Sequence, residues 1–269
     1  MKNLKKKDII IRIVVVLVIG IIIWNFITYL SDTLMGHEYS PISHFIIALI
    51  TTLLTVILIH GALKIDKISW NQLDPSTVKT KIYSFLQGFF LWTIPASIGL
   101  IICLIFGWVE IQVHTDWKFL LLSMLILFIT VFFIEALPEE LIFRGYIYRY
   151  LNAVFPHWGT IILQTLLFSL YAYLIGAMYS VEQVQFIPGF AIILGLFRAI
   201  SGSVWTSIGF HVAIMTATQI LGPIHGHFEV SGLFTLQFIA FILLPSVVGA
   251  TVLSFIHSTH NWGEKVPLK

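Results

Sequence analysis

Long apolar runs, broken by short polar stretches, dominate the chain from Ile9 to Ile256. A helix that crosses the hydrocarbon core of a bilayer needs about 20 apolar residues. Runs of that kind fall at 9–30, 42–63, 83–107, 119–137, 158–179, 186–200, 203–221 and 233–256. The pattern predicts an all-α fold, a polytopic membrane helix bundle of about eight transmembrane helices. The sixth and seventh runs are short and meet at Ser201-Gly202. The fourth continues past Pro138 into the amphipathic stretch 139–151, and a proline there kinks a helix or frees backbone groups. The longest polar segment, 64–82, reads equally as a connecting loop and as a helix lying at the membrane interface. No internal repeat or low-complexity linker is present.

Composition makes lipid the solvent. Hydrophobic residues are 58% of the chain, charged residues 10%, and mean hydropathy is +0.95. Soluble domains carry about 25% charged residues. Charge also sets direction. With the N-terminus in the cytoplasm and eight crossings, Lys118 alone of the 15 lysines and arginines falls on the far side. The far-side loops instead hold Asp32, Glu38, Glu110, Asp116, Glu182 and Glu229. A multi-pass protein with both termini cytoplasmic is expected. The Ile, Phe and Lys bias fits a low-GC bacterium, which makes the plasma membrane the expected location. The run Ile9–Leu30 follows the basic Met1–Lys7 and is longer than a signal-peptide core, so it reads as a retained helix. The single cysteine, Cys103, can form no internal disulfide. Nothing in the chain resembles a basic, aromatic-interleaved surface, so no nucleic-acid partner is expected.

Ionisable residues at membrane depth are costly and need a reason. The densest group is Glu135, Glu139, Glu140, Arg144 and Arg149, in IEALPEELIFRGYIYRYL. Glu140 and Arg144 are helical i,i+4 neighbours and can pair. Glu139 then lies about 100° away, on a face free to line a cavity. A carboxylate in such a cavity suits a general base. The alternative is that both glutamates mark the helix's exit at the interface. A second group, Ser207, His211, Met215 and Thr218, shares one face of the seventh run. His211 reads either as a catalytic residue or as a packing and hydrogen-bonding one. Arg198 is either a buried functional charge or a residue snorkelling at a helix end. His225 with His227, and His257 with His260, are too few ligands for a metal site and read as solvated loops. HExxH, P-loop and Ser-His-Asp patterns are all absent.

The string Glu139, Glu140, Phe143, Arg144, Gly145 resembles the EExxxR motif of the CPBP family, the CAAX prenyl proteases and bacteriocin-processing (Abi) enzymes. Downstream, LFRAISGSVWTSIGFHVAIM resembles the last core motif of that family. The resemblance covers roughly residues 115–256. It implies that Glu139 is the general base or a metal-site carboxylate and that His211 is the last motif histidine, with Glu140, Arg144 and Arg198 in support. Two positions depart from the pattern. Ala172 stands where an FxxxH motif starting at Phe168 would place its histidine, and Met215 stands where an Asn or Asp is expected. One lost oxyanion donor costs about two to three orders of magnitude in rate. Gln219, one turn past Met215, and Tyr171 or Tyr173, beside Ala172, are the nearby polar residues. The sequence requires no cofactor. A zinc site is the metal the resemblance would allow, with only one intramembrane motif histidine to hold it.

The expected organisation is N-terminal transmembrane helices with a cytoplasmic-side loop over 1–114, a CPBP-like core over 115–256 and a cytoplasmic tail over 257–269. The expected activity is intramembrane cleavage of a membrane-associated or lipidated protein or peptide. It would use a water-filled, cytoplasmic-side cavity in which Glu139 and His211 face each other. The alternative is a catalytically degenerate member that scaffolds or regulates a membrane or cell-envelope partner protein. A transporter, which would show matched broken helices in two halves, has little support.

Overall fold

The computed structural model describes residues 6–35 and 40–268. Met1–Lys5, Glu38 and Lys269, all used in the charge argument, lie outside the described residues. Eight long helices make up the bundle: α1 Lys6–Met35, α2 Pro41–Asp66, α3 Val78–Ile105, α4 Trp117–Asn152, α5 His157–Leu174, α6 Val181–Ser201, α7 Val204–Ile220 and α8 Leu233–Ile256. Six are long and apolar enough to cross a membrane. The protein is therefore a multi-pass membrane protein of nearly all-α architecture. The other two, α5 and α7, have 18 and 17 residues. At about 1.5 Å per residue they fall just short of a hydrocarbon core about 30 Å thick.

Contacts sort the connections into two ends. At one end, Arg149 near the end of α4 donates to the carbonyls of Gln72, Val266 and Pro267, and Arg198 of α6 donates to the Leu73 carbonyl. Asp66, the last residue of α2, accepts from Tyr146 and Tyr150 of α4 and pairs with Arg12 of α1. This end also carries Lys64, Lys67, Lys79, Lys81 and Lys265. At the other end, Glu110–Val113 (β1) pairs antiparallel with Phe228–Ser231 (β2), with Glu110 opposite Ser231. That ribbon joins the loops after α3 and α7, and the hydropathy pattern does not reveal it. Lys118 lies at the ribbon end, on the first turn of α4.

Two further boundaries differ from the apolar runs. α5 stops at Leu174 and not near 179, because the chain turns at Gly176 with φ +80°. α6 begins at Val181, ahead of its apolar run, because the Ser180 side chain accepts from the Gln183 backbone N–H and caps the polar stretch VEQVQ.

Close packing of α3 on α7 centres on two glycines. A Cβ on Gly88 would lie 1.9 Å from the Thr206 carbonyl oxygen, and one on Gly209 would lie 2.0 Å from that of Phe85. Small residues let membrane helices approach to backbone contact, where dispersion forces hold them. The prolines inside α4 and α8 are accommodated by a common device. The helix widens to π-helix ahead of each, over Phe132–Ala136 and Leu236–Leu243. Pro138 has no N–H to offer the Phe133 carbonyl five residues back, and Thr52 of α2 donates to it instead. Pro245 likewise leaves the Phe241 carbonyl without its i+4 donor, and the Trp92 indole of α3 donates to it at 2.9 Å. The helices therefore continue through their prolines, since neighbours satisfy the freed carbonyls.

Candidate active site

The EELIFR segment sits where α4 passes from a short α-turn, Leu137–Glu140, into a second π segment, Leu141–Ile147. Local π-helix turns side chains away from regular 3.6-residue spacing and is common at functional sites. Here the two glutamates separate. Glu140 is fully buried, and its Oε1 accepts from Arg144 Nη1 at 2.9 Å and meets His211 Nδ1 at 3.0 Å. Arg144, also fully buried, donates through Nη2 to the Ala191 carbonyl of α6 at 3.1 Å and lies over the Phe168 ring at 4.8 Å. Glu140 and Arg144 thus bind α4 to α5, α6 and α7.

Glu139 faces the other way. It lines a cavity of about 260 Å³ with Glu135, Tyr171, Ala172, His211 and Met215. Trp24 of α1 and Phe186 and Phe190 of α6 complete the apolar walls. His211 therefore touches both sets, with Nδ1 on Glu140 and its ring edge against Phe190 at 4.8 Å. The cavity runs from mid-bundle past Ile175, Ala177 and Tyr179 in the α5–α6 turn and past Gln183 at the start of α6. Those residues lie at the ribbon end of the bundle, away from the lysines. The expected opening on the cytoplasmic, lysine-bearing side is therefore corrected, because the cavity follows the C-terminal half of α5 and the N-terminal half of α6.

Arg198 does not snorkel. It is 7% exposed, its Nε donates to the Arg144 carbonyl at 2.9 Å, and its guanidinium lies 5.4 Å from the Tyr148 ring centroid. Arg144, grouped by the charge argument with residues of the lysine-bearing side, is instead enclosed within the bundle. Ala172 and Met215 both line the cavity, so the two departures remove polar groups from its wall. The Ser207–His211–Met215–Thr218 face of α7 turns toward α6, where the Ser207 hydroxyl donates to the Leu194 carbonyl at 3.0 Å.

Two residues named from the sequence without a role, Glu135 and Tyr171, find one in the structure, and a third, Asp74, escaped sequence reasoning. Glu135 lies one turn before Glu139 on the cavity wall and accepts from the Gln219 amide at 2.8 Å. Its i,i+4 spacing to Glu139 is the signal in the sequence that puts it on that wall. Tyr171 lies inside and Tyr173 outside, at 2% and 67% exposure. Asp74, in the α2–α3 loop, accepts from the Ser203 hydroxyl at 2.7 Å and the Val204 backbone N–H at 3.0 Å, capping α7. Burial pushes its carboxyl pKa up, but hydrogen bonds from Ser76 and Ser203 and the nearby Arg198 charge outweigh burial and hold it below the usual value.

Residues 120–217 match the family described as type II CAAX prenyl endopeptidase Rce1-like. The matched segment is similar to that family and covers 98 of the 269 residues. It runs from the first turn of α4 into α7 and contains Glu139, Glu140, Arg144, Ala172, Arg198, His211 and Met215. No curated protein matches the chain. That family is one of CAAX prenyl endopeptidases, so the matched segment is similar to a peptidase. Among the described residues no group of three or more His, Cys, Asp or Glu is set to hold a metal ion. The cavity wall carries Glu135, Glu139 and one histidine, His211, whose Nδ1 meets Glu140.

Proposed function

We propose that the cavity around Glu139 is the active site of an intramembrane endopeptidase acting on a membrane-associated or lipidated polypeptide. One observation carries this reading. Of two adjacent glutamates, Glu140 is fully buried with its Oε1 held by Arg144 and His211, while Glu139 lies on the cavity wall. In the proposed reaction a water on Glu139 attacks the scissile carbonyl carbon. The water's proton passes to Glu139 as the new C–O bond forms and the carbonyl becomes a tetrahedral oxyanion. Collapse breaks the C–N bond, and the proton held by Glu139 goes to the leaving nitrogen. Glu140 and Arg144 fix the orientation of α4 and of the His211 ring, so the base is held by structure and not by solvent.

Direction follows from the two ends. If the lysine-bearing end faces the cytoplasm, as positive charge favours, the mouth at Tyr179 and Gln183 opens on the far side, and the substrate reaches the site from the extracytoplasmic half of the bilayer. A membrane-impermeant maleimide added to intact cells should label Tyr179→Cys and leave Lys79→Cys unlabelled until the cells are opened. The reverse pattern would place the mouth in the cytoplasm.

A second reading, a non-catalytic scaffold that regulates a membrane or cell-envelope partner, is favoured by Ala172 and Met215, which line the cavity with apolar groups. Peptides released from membranes carrying wild type and Glu139→Gln at matched expression separate the two. Products that appear only with wild type establish the peptidase and reveal its substrate. Identical profiles establish the scaffold.

A further inference from the structure

Resting on that reading, we infer that the Tyr171 hydroxyl is the hydrogen-bond donor to the substrate's scissile carbonyl oxygen. Tyr171 lines the same cavity as Glu139 and His211. The residue is 2% exposed, and its hydroxyl is buried with no hydrogen-bond partner. A buried hydroxyl without a partner costs stability, and a phenylalanine would pack the same space without that cost. The hydroxyl therefore has a use that the folded protein alone does not display.

The surrounding groups define that use. Glu135 and Glu139 bring carboxylates to the wall, and carboxylates accept hydrogen bonds. The Gln219 amide, the natural donor on α7, is already spent on Glu135. His211 Nδ1 is spent on Glu140. The motif positions that could have held further donors are Ala172 and Met215. Of the residues that line the cavity, Tyr171 is the one whose side chain holds a buried polar atom without a hydrogen-bond partner, and that atom can donate. No covalent change is required of it. The phenol keeps its proton and shares it with the carbonyl oxygen, more strongly as charge develops there.

The ring is held ready. Trp24 of α1 and Phe143 of α4 pack edge-on against it, with centroids at 5.8 Å and 5.1 Å. A donor fixed before the reaction needs no reorganisation when the oxyanion forms, which is the source of such a group's leverage on rate. Tyr173, two residues on and 67% exposed, points outward and supplies the matched control.

The test compares peptide release from membranes carrying wild type, Glu139→Gln, Tyr171→Phe and Tyr173→Phe, with melting temperature measured on each purified protein. Tyr171→Phe should slow release about 100-fold, leave the melting temperature unchanged or raised, and differ from a wild-type-like Tyr173→Phe. In addition, 3,5-difluorotyrosine at 171 keeps the ring's shape with a more acidic phenol, so release should fail at a lower pH than in wild type, where the phenolate can no longer donate. Tyr171→Phe with wild-type release, a loss of release that tracks a lowered melting temperature, or an unshifted pH profile on fluorination overturns the inference. In each of those cases a dead Glu139→Gln leaves the active-site reading standing. Equal peptide profiles from wild type and Glu139→Gln overturn both.

Discussion

Two neighbouring regions of α4 use the same residue types to opposite ends. Around Glu140, both charges are paired: Arg144 and His211 meet one carboxylate oxygen, the Ala191 carbonyl accepts from the guanidinium and Arg198 donates to the Arg144 carbonyl, while Glu140 Oε2 and Arg144 Nε stay buried without a partner. Around Glu139, one residue earlier, the wall holds a second carboxylate, an unpartnered phenol and two apolar residues at motif positions. The first region closes on itself and fixes four helices. The second leaves its polar groups turned toward open volume. Buried charge in a membrane bundle thus divides between groups that complete one another and groups that await something else.

The largest expected effect comes from breaking the closed region. Glu140→Ala leaves Arg144 buried and charged without its carboxylate, which should cost about 3–5 kcal/mol. A large fall in melting temperature in detergent, or failure to accumulate, would show it. Loss of the Asp74 cap should cost less, about 1–2 kcal/mol for Asp74→Ala, read in the same melt. Because the folded carboxyl is held below its unfolded pKa, its contribution is present above that unfolded value and lost as pH falls through the folded one. The wild-type melting temperature should therefore fall more steeply on acidification than that of Asp74→Asn. On the open side, Glu139→Gln should leave the melting temperature unchanged or slightly raised while abolishing peptide release. A large destabilisation there would erase the distinction between the two glutamates. The smallest structural effect is expected from Ala172→His, which places an imidazole on the cavity wall at the motif position. It should fold normally and raise the rate of release, and a protein that folds but slows would argue that the cavity is fitted to its present lining.

Much of this division was legible in the chain. Turn counting put Glu140 with Arg144 and turned Glu139 elsewhere, because i,i+4 pairing is local and survives the intervening π segment. The helix positions were legible for the same reason that lipid is a simple solvent: apolar length is read directly. What escaped depended on distant partners. Whether Tyr171 or Tyr173 faced inward was set by Phe143 and Trp24, residues of other helices. That Gln219 would meet Glu135 needed α7 to lie against α4. The opening of the cavity escaped because it depends on which halves of α5 and α6 line it. Asp74 looked like an ordinary loop residue, and only the fold brings it to the first turn of α7.

Trp24 has a consequence for how this architecture can be cut and recombined. It belongs to α1, nearly a hundred residues ahead of the segment that matches the Rce1-like family, yet it walls the cavity and steadies the Tyr171 ring. Transplanting the matched segment into another bundle would move the glutamates and the histidine but leave one side of their chamber behind. The unit that builds this chamber is therefore larger than the matched segment, and any graft that is to preserve the chamber must bring the first helix with it.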